Sequence, residues 1–373
     1  MPYAFDPELA PYAELIPSVP LSEVIRRDGP PPDPALLAEI ERRLPAYTPR
    51  REVTVEDRRV PGGAPLAGPG GARGEAPRET PGGAAGGAAG GAAGGAAGGA
   101  AGGAAGGAAG GAVGGAADGV LGGVPVRVFR PRAEGPLPAI IYLHGGGFVS
   151  GELDYFGVRC LRLADLVPAV VVAVDYRLAP EHPYPAALDD TFATLEWLTG
   201  AAGELGVDPD RIAAAGDSAG GNLATALALL TRDRGGPPLR FQFLDVPVTD
   251  DRLATPSMRA FTDTPMWNRP DAVLSWRYYL GGDGIAPPYA APIRAADLSG
   301  LPPAFVAVCE FDPLRDEGIA YAQRLVQDGV PTELHLYPGA FHGAAIIADV
   351  ALTRRMNADM VGALRRALHR TDD

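Results

Sequence analysis

Sulfur is scarce in this sequence, with two cysteines, Cys160 and Cys309, among 373 residues. Two thiols cannot build a disulfide framework or a thiolate metal site. Cys309 lies inside the apolar run PPAFVAVCEF and is expected to be a small buried hydrophobe. Positive charge is also in deficit. The chain has 32 Lys and Arg against 45 Asp and Glu, a formal net charge of −13 and an isoelectric point near 4.9. Such a surface argues against nucleic acid or an anionic membrane as partner, because phosphate binding needs clustered cations. No apolar stretch reaches the ~18 residues of a membrane-spanning helix. The start, MPYAFDPELAPYAELIPSVP, has no basic stretch leading into an apolar run, so no secretory signal is expected. The expectation is a cytoplasmic protein without metal or organic cofactor, a monomer or a homodimer, whose partner is a small molecule.

What is present is apolar bulk. Hydrophobic residues make up 46% of the chain and mean hydropathy is +0.03, ample for one large α/β domain or two ordinary ones. In the first 50 residues, DPALLAEIERRL carries Leu36, Leu37, Ile40 and Leu44 near helical spacing after an Asp33–Pro34 start signal. REVTVEDRRV then alternates Val53, Val55 and Val60 as a half-exposed strand would. From Gly82 to Ala117 a GGAA unit repeats nine times, with Val113 as its one substitution. Half glycine and without large side chains, this stretch predicts a flexible coil. It interrupts a hairpin, since VPVRVFRP (124–131) reads as the partner of the strand at 51–60. Lengthening a hairpin loop this far costs only about 2 kcal/mol of closure entropy.

From residue 137 the pattern is regular. Short branched runs (PAIIYLHG, AVVVAVDY, RIAAAGDS, FQFLDVP, PPAFVAVCEFD, TELHLYPG) alternate with helix-length segments. That alternation predicts a mostly parallel sheet flanked by helices, with chemistry beyond the carboxyl ends of its strands. Four strand ends carry it. PAIIYL runs into HGGGF (144–148), RIAAA into GDSAGG (216–221), PPAFVAVCEF into Asp312, and TELHLYP into GAFHGA with His342. Gly216 and Gly220 let the strand turn straight into a helix, which lifts the Ser218 hydroxyl clear and points the Ala219 N–H at the same spot. Three glycines after HGGGF's buried strand let backbone N–H groups approach a developing oxyanion, each such donor being worth ~10²–10³ in turnover.

Of five histidines, His335 falls within an alternating strand, His369 in the C-terminal tail and His182 between prolines. His144 precedes the glycines and is expected to hold their loop. Only His342 follows Ser218 on a loop just past a strand, which makes it the candidate base. Glu310, Asp312 and Asp316 compete for the acid. Glu310 should face away, and Asp316 is explained by the helix dipole. Asp312 sits at the strand–helix junction, where it could orient the base or cap the helix before Pro313.

Together HGGGF, GDSAGGNLA, VDYRLAPEHPYPAALDD, LSGLPPAFV and DPLRDEGIAYAQRL resemble the hormone-sensitive-lipase branch of the α/β-hydrolases, over about residues 124–350. The resemblance implies that fold, with a helical cap from residues 1–50 and about 250–290 on a catalytic domain of 51–373, and 62–121 as an insertion foreign to the family. It implies hydrolysis of short- to medium-chain acyl esters by Ser218, Asp312 and His342. The oxyanion hole would come from Gly146, Gly147 and Ala219, with His144, Gly145, Gly216, Asp217 and Gly220 as supporting motif residues. An amidase, lactonase or deacetylase on the same triad, or a non-catalytic ligand-binding protein, are the alternatives. The family's aromatic after His-Gly is Ala344 here. Phe261, Met266, Trp267, Trp276 and Tyr279 are the candidate pocket walls.

Overall fold

A computed structural model describes residues 3–15, 47–61, 122–347 and 350–369. The helix expected within 33–44 and the Gly/Ala insertion of 62–121 lie outside the described residues.

Eight strands form one sheet. Strand β1 (Val53–Val60) runs antiparallel to β2 (Val124–Pro131) in an unbroken register, so the two halves of the interrupted hairpin do pair. Strands β3 (Leu137–Leu143), β4 (Val170–Val174), β5 (Val207–Asp217), β6 (Phe241–Asp245), β7 (Ala304–Phe311) and β8 (Thr332–Phe341) follow. The spatial order is β1-β2-β4-β3-β5-β6-β7-β8, with β2 also antiparallel to β4 and every later pairing parallel. The residues explain the parallel centre. LPAIIYL and VVVAV are buried along their whole length, so both faces need cover.

The helices supply that cover: α1 (Ala10–Leu15), α2 (Leu153–Leu166), α3 (Ala186–Gly200), α4 (Ala202–Leu205), α5 (Ala219–Arg234), α6 (Pro256–Ala260), α7 (Arg269–Tyr279), α8 (Arg315–Gln327) and α9 (Ala351–His369). On one face, Cys160 and Leu163 of α2 and Met356, Met360 and Leu364 of α9 share a core with Ile140, Tyr142, Val171 and Phe243. Helix α5 packs on β3, β5 and β6, and α8 on β7 and β8. Helices α6 and α7 rise from the stretch read as a second cap segment. Each opens on a side-chain cap followed by proline: Thr255 Oγ1 accepts from Met258 N at 3.2 Å, and Asn268 Oδ1 from Asp271 N at 3.1 Å.

Two local readings need correction. Strand β8 does not stop at Pro338 but continues to Phe341 through a register shift against β7. Gly339 makes this possible with φ +78°, and its N–H donates to Glu310 Oε2 at 2.7 Å. His369 is not in a fraying tail either: it ends α9 with a ring nitrogen against the Val167 carbonyl.

Candidate active site

Between β5 and α5 stands a single residue, Ser218, with φ +56° and ψ −114°. Such a conformation costs of order 1–3 kcal/mol in a non-glycine residue and holds only when its surroundings fix it. They do. Ser218 N donates to Asp245 O at 2.8 Å, while Ser218 O accepts from Asn222 N and Val248 N at 3.1 Å each. The flanking glycines are required by close approach. A Cβ on Gly216 would lie 2.2 Å from Gly220 O, and one on Gly220 1.9 Å from Leu143 O.

Residues far apart in sequence meet at this corner. His342, immediately after β8, places Nε2 3.1 Å from Ser218 Oγ and Nδ1 2.8 Å from Asp312 Oδ2. A carboxylate can only accept, so Nδ1 carries the proton and Nε2 is left to accept from the serine hydroxyl. Asp312 is fully buried, and Ser218 and His342 are nearly so, at 5% and 7% exposure. Asp312 makes both contacts the sequence left open: beside Oδ2 at His342, its Oδ1 accepts from Leu314 N at 2.8 Å ahead of α8. The rival carboxylates are occupied elsewhere: Glu310 at Gly339, and Asp316 at Ser257 N (2.7 Å) and Arg315.

The HGGGF loop lies beside them. Gly146 (φ +117°) and Gly147 (φ +60°) adopt backbone conformations that favour glycine, and their N–H groups have no acceptor among the described residues. Ala219 opens α5, where first-turn N–H groups lack intrahelical partners. Gly145 packs on the elbow, its Cα carrying no room to spare before Asp217 O. His144 is 2% exposed and stacked on Tyr176 at 4.2 Å, with Nδ1 2.8 Å from Gly145 O and Nε2 unpartnered. Burial lowers its imidazole to about 4, so it is neutral at ordinary pH. Helix α7 clamps the same loop: Ser275 Oγ donates to Gly147 O at 2.6 Å, and Tyr279 stacks on Phe148 at 3.7 Å.

A family model for the alpha/beta hydrolase fold matches residues 140–346. The chain belongs to the α/β-hydrolase family. It is similar to carboxylesterase NlhH of Mycobacterium tuberculosis (strain CDC 1551 / Oshkosh), with 47% identity over 258 residues, 66% of this chain and 79% of that one. Among solved structures, a bacterial heroin esterase matches with a TM-score of 0.77 and 36% identity over 99% of each chain. Esterase LipW from Mycobacterium marinum matches with a TM-score of 0.64 and 45% identity, over 66% of this chain and 78% of that one.

In this α/β-hydrolase, Ser218 and His342 open onto a cavity of about 530 Å³. Of the five aromatic and thioether candidates, Met266 and Trp267 line it, the indole lying 6.0 Å from the His342 ring. Phe261, Trp276 and Tyr279 are packing residues instead. Sequence reasoning missed the opposite wall, made by Glu152, Tyr155, Phe156 and Arg159 at the start of α2, and Asp245 at the end of β6. The available signal was their three- and four-residue spacing on the helix that follows the glycine loop. Asp217 lies at the cavity floor, accepts from Tyr142 Oη and ion-pairs with Arg159 Nη2 at 2.8 Å; the same Nη2 is 2.7 Å from Asp245. Burial raises the Asp217 carboxyl to about 6 against the opposing pull of Arg159.

Proposed function

We propose that Ser218 is the nucleophile, His342 the general base and acid, and Asp312 the orienting carboxylate of this carboxylic ester hydrolase. The observation that carries the reading is the unbroken chain from alcohol to imidazole to carboxylate, at 3.1 and 2.8 Å, ending in a cavity bordered by free glycine N–H groups. Ser218 Oγ attacks the ester carbonyl as His342 Nε2 takes its proton, and buried Asp312 stabilises the imidazolium. The N–H groups of Gly146, Gly147 and Ala219 receive the oxyanion. They need no reorganisation during the reaction, and each donor is worth ~10²–10³ in rate. His342 then protonates the leaving alcohol, and water releases the acid by the same route.

Residues 3–15 and 250–290 form the cap in this proposal, supported by the Tyr3 ring against Phe261 at 5.8 Å and Tyr3 Oη on Asp263. A cavity of about 530 Å³ walled by Met266 and Trp267 suits short to medium acyl esters. A homodimer is supported by β8, the last strand of the sheet among the described residues, where Leu334 and Leu336 are 41% and 47% exposed. A cytoplasmic location is supported by two buried, unpaired thiols. Ser218→Ala should lower kcat on p-nitrophenyl butyrate by at least about a thousandfold. Turnover retained in that variant would move the nucleophile elsewhere.

A further inference from the structure

We infer that the cavity beside Ser218 favours esters carrying a positive charge, a quaternary or protonated amine, placed against the α2 wall. The inference rests on the esterase reading and adds the charge class of the substrate. Apart from the His342 imidazole and the neutral Tyr155 phenol, the ionisable groups lining the cavity are Glu152, Asp217 and Asp245 against one guanidinium, Arg159. Arg159 is shared between the two aspartates at 2.8 and 2.7 Å, so it neutralises one of them and leaves the floor negative. Asp217 is buried, with Oδ2 accepting from Tyr142 Oη and Oδ1 held to Arg159 Nη2 as an ion pair.

Glu152 is exposed and has no cationic partner among the described residues. It lies near Asp175, whose carboxyl is raised first by burial and then by Glu152 itself, with Arg59 and Arg127 pulling the other way. Two rings complete the wall, Tyr155, 58% exposed, and Phe156, edge-on to it at 4.9 Å, and Trp267 borders the cavity as well. Aromatic faces attract an ammonium through their quadrupole, and more so where water is excluded. An anionic substrate would have to draw Arg159 away from two carboxylates, each of which would then be left buried without its cation. The chain's net charge of −13 adds a long-range bias of the same sign.

The test compares two acetate esters of one shape, acetylcholine and 3,3-dimethylbutyl acetate, which differ by N⁺ for C. With p-nitrophenyl acetate as reporter, choline and 3,3-dimethylbutan-1-ol serve as the matching competitive inhibitors. The expected result is a kcat/KM about tenfold higher for the cationic ester, or a Ki about tenfold lower for choline, carried by binding and not by kcat. Glu152→Gln should shrink the ratio roughly threefold and Glu152→Lys should bring it to unity or below. Equal constants for the charged and neutral members, or a ratio that both variants leave unchanged, would overturn the inference. Failure to hydrolyse p-nitrophenyl acetate would instead remove the esterase reading beneath it.

Discussion

Replacing His144 by glutamine tests whether the imidazole that anchors the glycine loop is held neutral by burial. The ring is 2% exposed, sandwiched by Tyr176 at 4.2 Å and Phe156 at 5.5 Å, and its Nε2 has no acceptor. Its value of about 4 is depressed from an ordinary 6.5. The stability this neutral ring contributes is complete above the unfolded value. As pH falls from 6.5 toward 4, the unfolded chain takes up a proton that the native fold resists, and stability drops by about 2 kcal/mol between pH 7 and 5. Asp217 acts in the opposite direction. Its value is raised from 3.8 to about 6, so the native state binds the proton first as pH falls and gains roughly 1 kcal/mol over the same interval. The wild-type curve should therefore be shallow, with the two slopes separated only by substitution. Urea unfolding of His144→Gln at pH 7, 6 and 5 should show its deficit relative to wild type shrinking by about 2 kcal/mol toward pH 5, whereas the Asp217→Asn difference should move the other way by roughly 1 kcal/mol. Curves for His144→Gln and wild type that run parallel would refute the buried neutral imidazole.

Two further outcomes follow from contacts at the same corner. Gly220→Ala forces a Cβ to within 1.9 Å of the Leu143 carbonyl, a backbone atom that cannot swing aside. It should lower stability by at least about 2 kcal/mol in urea or thermal melts; an unchanged midpoint would mean the β3 end and the elbow are not in contact. Ser275→Ala removes the only side-chain donor to the Gly147 carbonyl among the described residues. With that carbonyl unsatisfied at a cost of about 1–3 kcal/mol, kcat on p-nitrophenyl acetate should fall about tenfold with little change in KM. A rise in KM alone would place Ser275 in substrate binding instead.

Much of the site is legible in the sequence because strand ends are. A short branched run buried on both faces can be recognised without partners, and in a parallel sheet whatever follows its carboxyl end shares one edge with the others. That position singles out Ser218 and His342, and it brings Asp312 forward with the choice between capping and orienting the base left open. The hairpin of β1 and β2 was legible across sixty intervening residues from two short runs rich in branched residues, although the valines of β1 do not share a face: Val55 is 52% exposed and Val60, seven residues beyond Val53, is buried. What the sequence hid depends on packing across the chain. Arg159 reads as one charge on an amphipathic helix and Asp245 as the end of a buried strand. Only the packing of α2 on β2 and β4, from which Arg159 reaches across to the ends of β5 and β6, brings both to Asp217. Tyr279 shows the converse: an aromatic in the cap stretch suggested a pocket wall, yet its ring stacks on Phe148 and supports the glycine loop from behind. Asp312 could not be divided between the helix start and His342 because one oxygen accepts from Leu314 N and the other lies against His342 Nδ1.

The most direct test of the central claim is covalent capture of the serine with a fluorophosphonate, followed by intact mass and peptide mapping. The account predicts one adduct per chain, on the peptide containing Ser218, absent in Ser218→Ala and formed at least about a hundredfold more slowly in His342→Ala. An adduct on another residue, or an undiminished rate without His342, would contradict it.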